Sequence, residues 1–161
     1  MLHRALLAAA ILGAWLTSCP TPTAAEPPTR QVLFVCEHGN VKSLMAASYF
    51  NELAQSRGLP FRAVSRGLAP DSDTVPDFVK TPLTAEGFDV STFRPQRLTK
   101  DDIVASDHVI GISTTLPAET AATAAKTAQW NDVPAASTDY ARSRASIRAH
   151  VEELLEQLAR P

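Results

Sequence analysis

The chain has 161 residues, 45% of them apolar and 20% charged, with a formal net charge of -2 at pH 7. That length suits one domain with a real core, and the composition is ordinary for a globular protein. The near-neutral balance, without long runs of one sign, gives no support to non-specific nucleic-acid binding, and there is no internal repeat.

Residues 1–19 read as a targeting segment and not as part of the fold. Met1-Leu2-His3-Arg4 is a short basic start, and Ala5 to Leu16 is an apolar stretch too short to span a bilayer comfortably. Leu16-Thr17-Ser18-Cys19 resembles the bacterial lipoprotein signal, in which the cysteine becomes the lipidated first residue of the mature chain. The alternative is cleavage after Thr23-Ala24-Ala25, with Cys19 incidental. Either way the expectation is an exported protein, periplasmic or on the cell surface, held at the membrane through a lipid anchor if Cys19 is modified. Residues 20–30, with four prolines, read as a tether. The domain then runs over residues 31–161.

Cys19 and Cys36 are the two cysteines of the chain. If Cys19 is lipidated or removed, Cys36 has no partner within the chain. An unpaired thiol in an oxidising compartment calls for a use.

Gln31 to Cys36 is a continuous apolar run, as expected of a strand buried on both faces. The spacing of Leu44, Ala47, Phe50 and Ala54 predicts a helix from Ser43 to Arg57, stopped by Gly58 and Pro60. Phe61 to Ser65 is a second strand. Residues 74–86 look helical but for Pro82, which is expected to break or kink them. Thr99-Lys100-Asp101-Asp102 has the form of a capping box before a short helix. A third strand is expected from His108 to Ser113, an alanine-rich helix from Leu116 to Lys126, and a fourth strand from Thr127 to Trp130. The last helix places Ile147, Val151, Leu154, Leu155 and Leu158 on one face, with Ser137 as its N-cap. Strands alternating with helices predict an α/β domain of three layers around a four-stranded parallel sheet, its site beyond the carboxyl ends of the strands.

Cys36 stands at such an end. Glu37, His38, Gly39, Asn40 and Val41 follow it, and then Lys42 and Ser43 open a helix. Such a loop turns backbone N–H groups inward above a helix N-terminus, which makes an anion site of residues 37–42. A cysteine in that field is favoured as the thiolate, the nucleophilic form. Ser43 is placed to hydrogen-bond it. Gly39 permits a positive φ or a close backbone approach, and Asn40 can brace the loop. Glu37 and His38 contribute at least their N–H groups. Cys36 and His38 lack two further ligands at metal-site spacing, so neither a metal nor another cofactor is expected. Lys42-Ser43 also ends a nucleotide-binding P-loop, but that motif needs glycine where Cys36 and Val41 stand.

Cys36, five residues, a basic residue and Ser43 together resemble the C-x5-R-[ST] loop of the low-molecular-weight protein tyrosine phosphatases. The thioredoxin-coupled arsenate reductases share that loop and fold. Ser65-Arg66-Gly67, Gly87-Phe88-Asp89, Ser106-Asp107-His108-Val109-Ile110, Trp130 and Val133-Pro134 are similar to later landmarks of the family, over residues 31–159. The resemblance implies attack by Cys36 on a phosphate monoester of a small molecule or protein, through a thiophosphate intermediate. Two departures imply a slow enzyme. Lys42 replaces an arginine whose planar fork grips two oxygens. Ala135-Ala136 stands where the family has its acid, an aspartate before proline. Asp132 is the nearest substitute, Asp139 an outside candidate, and Arg66 a candidate for the missing guanidinium. Two alternatives remain: an arsenate reductase using an external thiol, since no cysteine follows Cys36, and a degenerate protein that binds oxyanions or phosphoproteins without turnover.

Overall fold

The structure is a computed structural model and describes residues 29–123 and 126–160. The segment read as a signal, the lipidation site Cys19 and nearly all of the tether lie outside the described residues. Among the described residues no helix is long and apolar enough to cross a membrane.

Strands β1 (Arg30–Cys36), β2 (Phe61–Gly67), β3 (His108–Ile112) and β4 (Lys126–Trp130) form one sheet in the order β2-β1-β3-β4. Every pairing is parallel. Helices α1 (Lys42–Ser56), α2 (Asp77–Ala85), α3 (Lys100–Val104), α4 (Ala118–Thr123) and α5 (Tyr140–Leu158) fill the crossovers and the carboxyl end of the chain.

The pleat of β1 sorts its run of apolar residues between two cores. Val32 and Phe34 join the larger cluster with Met45 and Phe50 of α1, Val79 and Leu83 of α2, and Ile147 and Leu155 of α5. Leu33 and Val35 face the other way, against Val109 and Ile103 of α3. This is the three-layer arrangement that the alternation of strands and helices predicts. Trp130 is a core residue, its ring 5.3 Å from that of Phe34 and stacked at 4.8 Å on His150.

Local details refine the sequence reading. Helix α2 continues through Pro82. The proline offers no N–H to the Phe78 carbonyl and its ring crowds that carbonyl, so the helix gives up one bond there. The alanine-rich helix starts at Ala118 and not at Leu116, and Lys126 belongs to β4. Asp139, not Ser137, caps α5, its carboxylate accepting from the Arg142 N–H at 2.9 Å. Both residue types are good caps, so their identity alone did not choose between them. The capping box at α3 is present, Thr99 and Asp102 each accepting from the other's backbone N–H.

His108 opens β3 and is 8% exposed. Burial holds its imidazole below the ordinary value of 6.5, helped by Lys126 and Arg30 and opposed by Asp107. The unfolded chain therefore binds the proton more readily than the native one, and stability must fall as the pH drops through about 6.5. In urea titrations across that window the midpoint of the wild-type protein falls further than that of His108→Gln. Equal changes in both would remove His108 as the cause.

Candidate active site

The parallel sheet delivers Cys36 to its carboxyl edge, and the chain must then turn sharply to start α1 at Lys42. Gly39 makes the turn with φ +76. The loop rests directly on the end of β2. A Cβ on Gly39 would stand 2.6 Å from the Gly67 nitrogen, and one on Gly67 would stand 2.6 Å from the His38 carbonyl carbon. The strand ladder continues into this contact, with Leu68 N–H donating to the Cys36 carbonyl at 3.0 Å and Ala69 N–H to that of Glu37 at 2.8 Å. Buried Asn40 braces the far side, its Nδ2 donating to the Thr74 carbonyl at 2.9 Å.

The Cys36 sulfur is free, 5% exposed, and held by two groups. The Gly39 N–H donates to Sγ at 3.3 Å, and the Ser43 hydroxyl lies 3.0 Å from it. Ser65 lies behind them, its Oγ 2.8 Å from Ser43 Oγ and 2.9 Å from the Gly39 carbonyl. Its one hydroxyl proton can serve only one of these at a time. When it points at Ser43, that hydroxyl is left to donate to the sulfur. The Lys42, Ser43 and Leu44 N–H groups belong to the first turn of α1, which has no intrahelical acceptors for them. Sulfur, loop N–H groups and helix end thus meet in one place, a nucleophile type beside unpaired donors.

Above the sulfur lies a cavity of about 240 Å³, lined on the loop side by Cys36, Glu37, His38, Val41 and Lys42. Phe78 of α2, Ile112 and Ser113 at the end of β3, and residues 135–137 complete its wall. Glu37 and His38 are exposed at the rim. Thr114 donates to the Glu37 carboxylate at 3.3 Å, and His38 Nδ1 sits 3.2 Å from the Ala69 carbonyl and 3.4 Å from Asp71. Among the described residues no group of three or more His, Cys, Asp or Glu could hold a metal ion.

Lys42 does not fold back over the loop. Its ammonium crosses to the opposite wall, donating to Ser113 Oγ at 2.8 Å and to the Val133 carbonyl at 2.9 Å. Burial pushes its pKa below the usual lysine value, while the charge of Cys36 pulls it back up.

The substitute residues lie elsewhere. Asp132 does not line the cavity. Its carboxylate is exposed and bonded to His150 Nε2 at 2.8 Å, and that bond, with a backbone one, holds its pKa below the ordinary carboxylate value. A proton donor needs the opposite shift. Asp139 is occupied as the cap of α5. Arg66 is held by Asp102, Nε at 2.9 Å and Nη2 at 2.8 Å from the same oxygen, and it also donates to the Ser65 carbonyl. It does not replace the missing guanidinium. Burial raises the Asp102 carboxyl, but the bonds from Arg66 and Thr99 outweigh it and leave the group below its ordinary value. Sequence reasoning gives Ser65, Phe78, Ser113 and the Val133 carbonyl no role at the site. Ser65 and Ser113 carry a signal, each as the residue at a predicted strand's carboxyl end, and Ser65 and Val133 also stand in stretches similar to family landmarks.

Residues 31–161 match the family model for low molecular weight phosphotyrosine protein phosphatase. No curated protein matches the sequence. Among solved structures, the low molecular weight protein tyrosine phosphatase of T. tengcongensis superposes with a TM-score of 0.71 at 22% identity, covering 80% of this chain and 99% of that one. The thioredoxin-dependent arsenate reductase of Corynebacterium glutamicum gives 0.64 at 23% identity, covering 84% of this chain and 64% of that one, so this chain spans under two thirds of that enzyme. An arsenate reductase of Archaeoglobus fulgidus gives 0.61 at 26%, over 78% of this chain and 98% of the other. These likenesses show the fold.

The contact of loop and β2 can be tested directly. Gly67→Ala forces a Cβ into the His38 backbone, and overpacking of that kind costs about 1–3 kcal/mol. The expected result is a lowered urea midpoint together with loss of phosphate protection of Cys36 against iodoacetamide. Unchanged protection would mean that the loop does not depend on this contact.

Proposed function

The chain belongs to the low molecular weight phosphotyrosine protein phosphatase family, and from that premise we propose that it hydrolyses phosphate monoesters through a Cys36 thiophosphate. The observation that carries this reading is the sulfur at the floor of the cavity, with the Gly39 N–H at 3.3 Å and the Ser43 hydroxyl at 3.0 Å. In the first step the thiolate attacks phosphorus, an S–P bond forms, and the ester P–O bond breaks with its electron pair going to the leaving oxygen. In the second step water attacks phosphorus and the S–P bond breaks, returning the pair to sulfur. The Ser43 bond favours the thiolate as leaving group in that step. The loop N–H groups meet the charge on the equatorial oxygens of a loose transition state.

Arsenate reduction is the second reading, supported by the structural likeness to two arsenate reductases. The same cavity would take the oxyanion. Cys36 is the last cysteine of the chain, so two external thiols would have to supply the two electrons. The Cys36 thiolate would attack arsenic and displace one oxygen as water. One external thiol would then attack the Cys36 sulfur, forming a mixed disulfide while the S–As electron pair passes to arsenic and arsenite leaves, and the other would reduce the mixed disulfide.

Steady-state assays separate the readings. The proposal expects hydrolysis of p-nitrophenyl phosphate by the wild-type protein and at least about a hundred-fold loss in Cys36→Ser, the order expected on losing a catalytic group, with phosphate binding retained. A Cys36→Ser protein at the wild-type rate contradicts the nucleophile assignment. Glutathione-dependent arsenite formation without ester hydrolysis favours the second reading.

A further inference from the structure

The position of the Lys42 ammonium has a consequence for the leaving group. Its nitrogen bonds to Ser113 Oγ at 2.8 Å and to the Val133 carbonyl at 2.9 Å, on the wall opposite the loop. Ala135 and Ala136 line the same cavity just beyond Val133. The two acceptors form a built seat, for Ser113 Oγ also donates to the Val133 carbonyl at 3.0 Å and its N–H to the Trp130 carbonyl at 3.0 Å. Ser113 holds this place at φ +50, the one non-glycine positive φ among the described residues. That is an uncommon, strained conformation for a residue with a Cβ. An ammonium carries three N–H donors, and the seat uses two. The third is available to a group in the cavity. In-line attack by Cys36 from the floor sends the leaving oxygen toward the mouth, between these walls.

We propose that Lys42 is the proton donor to the leaving oxygen, with Ser113 and the Val133 carbonyl as its positioning groups, and that the site thereby accepts monoesters of unactivated alcohols. This rests on the phosphatase reading above. As the P–O bond breaks, the leaving oxygen takes a proton from the ammonium and Lys42 becomes a neutral amine. In the second step that amine takes a proton from the attacking water, the S–P bond breaks, and the ammonium and thiolate are both restored. Burial of Lys42 works in the same direction, since it brings the neutral amine closer to reach than in a solvated lysine. The titratable groups that share the cavity with it are Cys36, Glu37 and His38, all from β1 and its loop. The wall formed by β3, α2 and residues 135–137 adds none.

The test is the dependence of kcat/KM on leaving-group pKa, measured from p-nitrophenyl to alkyl phosphates at several pH values. For the wild-type protein the dependence is expected to be shallow while Lys42 is charged. It is expected to steepen as the pH rises through an alkaline limb below the ordinary lysine value of about 10.4. Lys42→Arg keeps the charge but cannot give up a proton. It should lower rates on alkyl phosphates at least about ten-fold more than on p-nitrophenyl phosphate, within the range a general acid supplies, and should lack that limb. Lys42→Ala should regain alkyl phosphate turnover when methylamine is added. An equal fold-loss on all esters in Lys42→Arg, or a wild-type dependence that does not change with pH, overturns the proton-donor role while leaving the phosphatase reading intact. Absence of ester hydrolysis by the wild-type protein overturns both.

Discussion

The loop after β1 can lie on the end of β2 only because Gly39 and Gly67 are both bare. A Cβ at either would come within 2.6 Å of the other segment's backbone, closer than packed atoms tolerate. Everything at the site follows from that contact. It sets the height at which the Gly39 N–H meets the Cys36 sulfur, and it brings Ser65, two residues before Gly67, under the Ser43 hydroxyl. A short loop wedged between a strand end and a helix start has little freedom left once its middle is pinned. The part of the site that would meet charge is therefore fixed by backbone contacts, and the exposed side chains of Glu37 and His38 stand at its rim.

Two kinds of charge are handled differently. In the proposed reading, negative charge on an oxyanion is met by backbone N–H groups and a helix end, which need no counter-ion. Positive charge comes from one side chain, Lys42, and that charge is seated across the cavity and not in the loop. An arginine fork at the same position would suit the equatorial oxygens of a phosphoryl group. An ammonium is compact and can lose its proton when buried, so it suits a proton-transfer role that guanidinium cannot fill. The replacement of arginine by lysine and the lack of an aspartate after Val133-Pro134 then become one change and not two separate losses.

Much of this was legible in the sequence because it is local. The apolar run Val32 to Val35 before Cys36, the glycine at 39 and the helix opening at Lys42 lie within a dozen residues, and parallel-sheet topology follows from the alternation of elements. Residue pairs far apart in the chain were not legible. Lys42 meets Ser113 and Val133 over separations of 71 and 91 residues, and no spacing rule reaches that far. Asp132 looked available because its partner, His150, sits on a helix whose packing brings the ring over Trp130. Arg66 was misjudged for the same reason, since Asp102 claims it from α3. The cap of α5 turned on which of two good capping residues meets the first free N–H, and geometry decides that, not residue type.

The most direct measurement is rapid acid quench of the protein during turnover of an aryl phosphate, followed by mass spectrometry of its peptides. The account predicts a transient phosphoryl group on the peptide holding Cys36, acid-stable enough to map to the sulfur, formed no more slowly than product appears. Turnover without a phosphoryl group on Cys36, or with one on another residue, would contradict it.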